Sequence, residues 1–356
     1  MGGAVQRVQR AQGTIAVVGT GAWGITLAVH TAALGAQVTL LARGSEEAAA
    51  LRAAGTSPRL PGVPFPPLLR VADEPRQALP EAQVVLLVVP AQTMRANVRA
   101  IGAFLAPDAV VVSASKGLEI GDAWRMSEVV SQELREVPGP PARSIAALSG
   151  PNLAAEVAAG KISSTVVACP DEAAATRVQT ALMAPHLRVY RSADVVGVEL
   201  GGALKNVIAL GAGMCDGLDA GDNAKAALMT RGLAEIARLG QAAGAEPLTF
   251  AGLAGLGDLI ATCMSPLSRN RTFGEQVARG RTAAQLQATM QHVAEGVTTT
   301  IAALQLARRY SVEMPITALM HRVLFEGLSA QDAGQALMQR DPKRELDGFV
   351  EAQRRP

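Results

Sequence analysis

The sequence predicts an α/β chain, with a doubly wound parallel sheet in its N-terminal half and an all-α region after it. Three observations predict this. Apolar, β-branched runs alternate with helix-like segments from Thr14 to about Asp194, the pattern that crossover connections impose on a parallel sheet. The first of these runs passes through Gly19, Gly21 and Gly24 into a helix-like segment. Beyond Asp194 the alternation stops, and long Ala, Leu, Gly and Met stretches follow with no convincing strand.

The first element is the most informative. In TIAVVGTGAWGITLAV, residues 14–29, the run 15–18 reads as a buried strand and the segment through Leu27 and Val29 as a helix. Gly19 allows a tight turn, Gly21 lets a pyrophosphate approach the backbone, and Gly24 lets helix and strand pack. Phosphate charge would then face the unpaired N–H groups that open the helix. Thirty-five glycines in 356 residues produce such spacings by chance, so the weight lies in the position between strand and helix. The N-terminal half therefore reads as a Rossmann-like dinucleotide-binding unit.

Residues 37–41 give the second strand, which ends at Ala42 and Arg43. An acid about 20 residues past the glycines suits the ribose hydroxyls of NAD, and an arginine suits the 2′-phosphate of NADP. Arg43 occupies that place and no acid lies nearer in sequence than Glu46, so the reading leans to NADP over NAD. A solvated arginine after a strand is the alternative. Residues 44–54 read as helix, and SPRLPGVPFPP, residues 57–67, is a proline-rich loop. A short strand follows near 68–71, then a strand at 84–89 stopped by Pro90. The strand at 109–115 ends in Lys116 and Gly117, and the one at 144–148 ends in Ser149, Gly150 and Pro151. Ligands gather beyond the carboxyl ends of such strands, which suits Lys116 and Gly150. Residues 164–168 and 187–190 add two further strands. The division is then a tail at 1–13, a dinucleotide-binding domain at 14–193, a helical substrate and catalytic domain at 194–340, and a C-terminal tail at 341–356.

Composition narrows the class. A length of 356 residues, 49% apolar, suffices for two domains with cores of their own. A net charge of +2 with scattered basic residues, two Trp and two Tyr, argues against a nucleic-acid partner. Cys169, Cys215 and Cys263 form no C-x-x-C pair and no His is placed to complete a zinc site, so we expect no metal and a reducing compartment. The opening MGGAVQRVQRAQG lacks the apolar core of a signal peptide, and Gln6 breaks the myristoylation pattern. The run at 84–89 is too short to span a bilayer. A soluble, cytoplasmic protein with no membrane span is expected.

Three polar groups stand out in the apolar second half. Lys205 and Asn206 lie in VELGGALKNVIALGAGM, with Leu200, Leu204 and Ile208 at helical spacing. A lysine desolvated there would be a usable acid or base near neutrality; a lysine with its head in water fits the spacing too. Asp258, in AGLAGLGDLIATC, would meet a cation or a helix N-terminus, or would simply cap the helix starting near Leu259. SPLSRNR, residues 265–271, sets a hydroxyl, a guanidinium and an amide before a helix, which suits a phosphate monoester or ordinary capping.

Together GTGAWGIT, SASKGLE, LSGPN, VELGGALKNVIALGAGMCDGL, AGLGDLIATC, SPLSRNRTFG and AEGVTTT, in this order, resemble the NAD(P)-dependent sn-glycerol-3-phosphate dehydrogenases of the bacterial type. The likeness runs from about Ile15 to Leu337. It implies reversible reduction of dihydroxyacetone phosphate, a phosphorylated triose, to glycerol 3-phosphate for glycerophospholipid synthesis, in an enzyme commonly dimeric. It also implies that Lys205 gives or takes the proton and that Lys116 lies between nicotinamide and substrate, with Asp258 orienting Lys205 or a substrate hydroxyl. Gly150, Asn206, Asp258, Ser268, Arg269 and Asn270 correspond to substrate contacts. Gly19, Gly21, Ala22, Trp23, Gly24, Arg43, Lys116, Ala154, Arg269, Val293 and Glu295 correspond to cofactor contacts. One position departs: Asn152 stands where the family usually has Ser or Thr, and a shifted hydrogen bond to substrate is expected there. A reductase of another small keto or hydroxy acid, or a sensor that binds NADPH without turnover, are the rival readings; the SRNR block favours a phosphate, and a sensor would leave Lys116, Lys205 and Asp258 without a task.

Overall fold

The computed structural model describes residues 13–137, 143–289, 294–342 and 344–345; the tails assigned to 1–13 and 341–356 lie mostly outside them. The first part alternates strand and helix. Its elements are β1 Thr14–Val18, α1 Ala22–Ala33, β2 Gln37–Leu41, α2 Ser45–Ala54, β3 Leu69–Ala72, α3 Pro75–Ala78, β4 Val84–Leu87 and α4 Met94–Ile101. Then come β5 Val110–Ser113, α5 Met126–Arg135, β6 Ile145–Ser149, α6 Ala154–Ala158, β7 Ser163–Ala168, α7 Glu172–Leu182 and β8 Leu187–Ser192. The strands form one sheet in the order β3-β2-β1-β4-β5-β6-β7-β8.

The apolar runs are continuous, not alternating, because both faces of the sheet are covered. Ile15, Val17, Val38, Leu40, Leu86 and Val112 pack on one face, and Ala16, Val18, Val85, Leu87 and Val111 on the other. From β1 the chain winds to β2 and β3 on one side, then returns to place β4 on the other, with Ile15 level with both Val38 and Val84. That reversal creates the crevice in which a doubly wound sheet binds its ligand. It opens at the glycine loop after β1.

The sheet is parallel from β3 to β6, but β7 runs antiparallel to β6, with Leu148 opposite Val167. The cause lies in the connection. After β6 the chain makes only the five-residue α6 at the carboxyl edge, where Thr26 Oγ1 of α1 donates to Ala154 O at 3.2 Å. The chain therefore re-enters the sheet from that edge without crossing back. The long α7 then restores a parallel β7–β8 pair.

The remainder is helical: α8 Val195–Gly217, α9 Gly221–Ala242, α10 Asp258–Met264, α11 Arg269–Ala278, α12 Ala283–Thr289, α13 Glu295–Arg309, α14 Pro315–Phe325 and α15 Ala330–Met338. Asp194, where the sequence changes character, caps α8 by accepting from Gly197 N at 2.8 Å. By length and composition α8 could cross a membrane, yet 89% of its most apolar window is buried inside the fold. It is the core helix around which the others pack. Its glycines make this possible: a Cβ on Gly201 would stand 2.5 Å from Ala254 O, and one on Gly217 2.6 Å from Glu275 O. Gly213 and Gly274 leave still less room between α8 and α11.

Buried polar links fix α8 against the sheet. Glu199 accepts from Ser127 N at 2.7 Å, Ser127 Oγ at 2.6 Å and Arg125 Nη1 at 2.8 Å, at the start of α5. On α13, Gln305 accepts from Gly121 N at 3.2 Å, and Arg309 lies over the Trp124 ring. The helical part is thereby held over the carboxyl ends of β5 and β6.

Candidate active site

Three elements converge there. Lys116 follows β5, Gly150 follows β6, and Lys205 lies midway along α8, which crosses above them. The fourth contributor is Asp258. It opens α10 directly after a single π-helical turn, Leu253–Gly257, a local widening often found at functional sites. Gly257 offers α10 no side-chain cap, and Asp258 turns inward instead of capping.

The inward turn gives Asp258 two cations. Lys205 Nζ donates to Asp258 Oδ1 at 2.5 Å, and Lys116 Nζ to Oδ2 at 2.8 Å. Lys116 also donates to Gly150 O at 2.9 Å, and Lys205 to Thr262 Oγ1 at 2.5 Å. Thr262 in turn donates to the Asp258 carbonyl, one helical turn back, at 2.6 Å. Lys205 is thus not a lysine with its head in water: it is 5% exposed and Asp258 1%. Lys116 remains 18% exposed by side chain and so faces the cleft.

Burial disfavours the charged form of Lys205, and the Lys116 charge acts the same way while Asp258 opposes both. The outcome is a pKa lowered to about 8. Each lysine has three N–H donors, and two of the three are taken on each. One donor from each lysine is left for a ligand in the cleft.

Beside this cluster, Asn206 Oδ1 accepts from Asn270 Nδ2 at 2.9 Å, and Asn270 Oδ1 accepts from Gly296 N at 2.9 Å. This amide ladder joins α8, α11 and α13. Ser268 caps α11 by accepting from Arg271 N at 3.3 Å. Both Ser268 and Asn270 are therefore buried in structural bonds, and in the SRN run Arg269 alone stays accessible to solvent. Cleft walls around its guanidinium still lower its pKa, with Glu295 opposing. Asn152 turns away toward β7, donating to Ser164 O at 3.3 Å and accepting from Thr165 Oγ1 at 3.0 Å.

The glycine loop fits a dinucleotide. Gly19 has φ of +114°, and a Cβ there would strike the Val88 carbonyl. Gly21 faces open space, with no atom within 4 Å of its Cβ position, and α1 has no side-chain cap. The N–H groups of the first turn, at Ala22 and Trp23, therefore meet no side-chain cap, which leaves the start of α1 suited to pyrophosphate. Ala154 adjoins α1 as described. Glu295 opens α13 and accepts from Ala91 N at 3.4 Å, beside the end of β4; burial raises its pKa. Val293 lies outside the described residues.

Arg43 differs from its sequence expectation in its surroundings. Glu47, not Glu46, folds back from α2 onto it, with Arg43 Nη2 3.3 Å from Glu47 Oε1. Thr262 and Glu47 are the site residues that sequence reasoning missed. For Thr262 the available signal was its place four residues after Asp258 on a helix. Elsewhere, a cavity of about 1800 Å³ in the helical part is lined by Arg231, Glu235, Arg238 and Arg340. Of its arginines, Arg231 donates to Glu345 O, Arg238 to Glu313 O and Arg340 to Glu313 Oε1.

A dinucleotide cradle at the switch point of a doubly wound sheet, with a buried lysine of lowered pKa beyond the next strands, defines a nicotinamide-dependent oxidoreductase. The comparisons sharpen this. Residues 14–175 match the family model for the N-terminus, and residues 194–335 that for the C-terminus, of NAD-dependent glycerol-3-phosphate dehydrogenase. The chain belongs to this family. It is 49% identical to the glycerol-3-phosphate dehydrogenase [NAD(P)+] of Streptomyces griseus over 93% of the chain and 97% of that protein. The glycerol-3-phosphate dehydrogenase [NAD(P)+] 2 of Mycobacterium tuberculosis is 48% identical, over 93% of the chain and 98% of that protein. The crystal structure of glycerol-3-phosphate dehydrogenase from Coxiella burnetii superposes with a TM-score of 0.87 at 35% identity, over 92% of this chain and 99% of that one.

Proposed function

We propose that Lys205 is the proton donor, and Asp258 its partner, in the reversible NAD(P)H-dependent reduction of dihydroxyacetone phosphate to sn-glycerol 3-phosphate that characterises this family and supplies glycerophospholipid synthesis. The observation that carries the assignment is the buried Lys205–Asp258–Lys116 cluster at the carboxyl ends of β5 and β6. A bound nicotinamide would supply or accept the hydride. Lys205, as ammonium, gives its third proton to the carbonyl oxygen of the substrate. In the reverse direction its neutral amine takes the hydroxyl proton. Lys116 uses its remaining donor to hold substrate in the cleft, which lowers the entropic part of the barrier. Asp258 fixes both lysines, and Thr262 fixes the rotation of the Lys205 head.

Arg269, with the start of α11, binds the substrate phosphate. Ser268, Asn270 and Asn206 hold that region rigid, and Gly150 lets β6 approach the substrate. Since Asn152 is bonded to β7 at both ends of its amide, its contribution is to shape the wall, with any substrate contact requiring one of those bonds to shift. The cofactor lies along Gly19, Gly21, Ala22, Trp23 and Gly24, toward Lys116, Ala154 and Glu295. We further propose a division at Asp194 between dinucleotide-binding and substrate domains, a homodimer, supported by the family resemblance, and a reducing cytoplasmic setting, supported by free Cys169, Cys215 and Cys263.

The sign of the pH dependence follows from the Lys205 pKa of about 8. Reduction requires the ammonium, so its kcat/KM is level near neutrality and falls above about pH 8. Oxidation requires the amine, so its kcat/KM rises toward the same value. Initial rates in both directions between pH 6.5 and 10 check this. Reduction unchanged across that range would remove Lys205 as the donor.

A further inference from the structure

We infer that Glu47 sets the dinucleotide preference of this chain, favouring the ribose hydroxyls of NAD(H) over the 2′-phosphate of NADP(H). The inference rests on the reading that the loop from Gly19 to Gly24 holds the dinucleotide. It reverses the lean to NADP that Arg43 alone suggests.

The geometry places the acid in the corner that receives the adenosine ribose in such a fold, between the glycine loop and the end of the second strand. Helix α2 begins at Ser45, so its first turn carries Glu47 back over the end of β2. Its Oε1 accepts from Thr20 Oγ1, inside the glycine loop, at 2.8 Å. Its Oε2 accepts from the Arg43 backbone N–H at 3.0 Å. Both anchors hold the carboxylate whatever the Arg43 side chain does. Arg43 reaches Glu47 through Nη2 at 3.3 Å and Nε at 3.5 Å, and Arg59, from the proline-rich loop, stands 3.9 Å from Oε1.

Exposure decides which partner yields. The Arg43 side chain is 72% exposed and that of Glu47 25%. A ligand can push the arginine aside; the acid stays. Hydrogen bonds from Arg43 and Thr20 outweigh burial and keep the Glu47 carboxyl below its ordinary pKa, so it is charged at neutral pH. A ribose diol gains an acceptor in that carboxylate once the exposed arginine swings out. A 2′-phosphate meets a fixed negative charge, which offsets part of the attraction that Arg43 and Arg59 offer it.

Calorimetric titration of NADH and NADPH into the full chain, without substrate, tests this. The wild type should bind NADH at least about tenfold more tightly than NADPH. In Glu47→Gln the NADPH Kd should fall about tenfold while the NADH Kd rises severalfold, because the two arginines are released and the acceptor is weakened. Adding Arg43→Gln to that variant should remove most of the NADPH gain, which separates a released arginine from a general effect of the substitution. Equal affinities in the wild type, or a ratio that Glu47→Gln moves by less than about threefold, would overturn the inference while leaving the cradle intact. Failure of the wild type to bind either dinucleotide would overturn the cradle, and the inference with it.

Discussion

Replacing Lys205 by Ala lowers turnover in both directions by about two to four orders of magnitude, the usual contribution of a positioned acid or base. The structure gives a reason to expect the upper part of that range. The lysine is buried, its pKa of about 8 suits proton transfer near neutrality, and among the described residues the other group at the same oxygen of Asp258 is Thr262, which is already donating to the Asp258 carbonyl. Lys116 meets the other carboxylate oxygen and Gly150 O, and its remaining donor is the one assigned to holding substrate. The Ala substitution also leaves a void in α8, so Lys205→Met serves as the control of matched volume. Both variants, shown folded by circular dichroism and still binding the dinucleotide, should lose turnover alike. Near-normal turnover in either would mean that another group carries the proton.

Asp258→Asn should have the second largest effect, with a signature of its own. The carboxylate lies between two ammonium groups, at 2.5 and 2.8 Å, and an amide in its place leaves both without a counter-charge. Breaking a buried ion pair in this way costs about 3–5 kcal/mol of stability, partly relieved if Lys205 gives up its proton. That relief is the diagnostic. With the opposing charge gone, burial and Lys116 lower the Lys205 pKa further, so the fall in kcat/KM for reduction moves to lower pH than the wild-type break near 8. Activity at neutral pH should drop about 10²- to 10³-fold, because the ammonium is depleted and misplaced. Urea denaturation and a pH profile on the same preparation measure the two parts. A variant that loses rate but keeps its break near pH 8 would show that Asp258 does not act through Lys205.

What could be read in the sequence follows from what each signal encodes. The buried strands were legible because a sheet covered on both faces needs uninterrupted apolar runs, as at Val84–Leu87 and Val110–Ser113. Strand direction is not encoded in such runs. The reversal of β7 depended on where α6 ends, which composition does not specify. Lys205 and Asp258 each stood out as polar residues in apolar surroundings, but nothing local links positions 53 residues apart. Their meeting depends on the π-helical turn before α10 and on the glycines that let α8 approach. Glu47 was hidden for the opposite reason. It is four residues from Arg43, and only the immediate start of α2 brings it back onto the ribose corner. The amide ladder through Asn206, Asn270 and Gly296 required three helices to be placed at once, so the SRN run showed its polar side chains but not the bonds that Ser268 and Asn270 make within the fold.

The most direct test of the central claim is the initial rate of NADH and of NADPH oxidation by the purified chain, followed at the nicotinamide absorbance, with dihydroxyacetone phosphate and then with dihydroxyacetone. The proposed site predicts turnover that requires the phosphate, since it assigns Arg269 and the start of α11 to hold that group while Lys205 meets the carbonyl. Equal rates with and without the phosphate would contradict the site assignment, and no turnover with either cofactor, from a chain that binds one of them, would contradict the reaction itself.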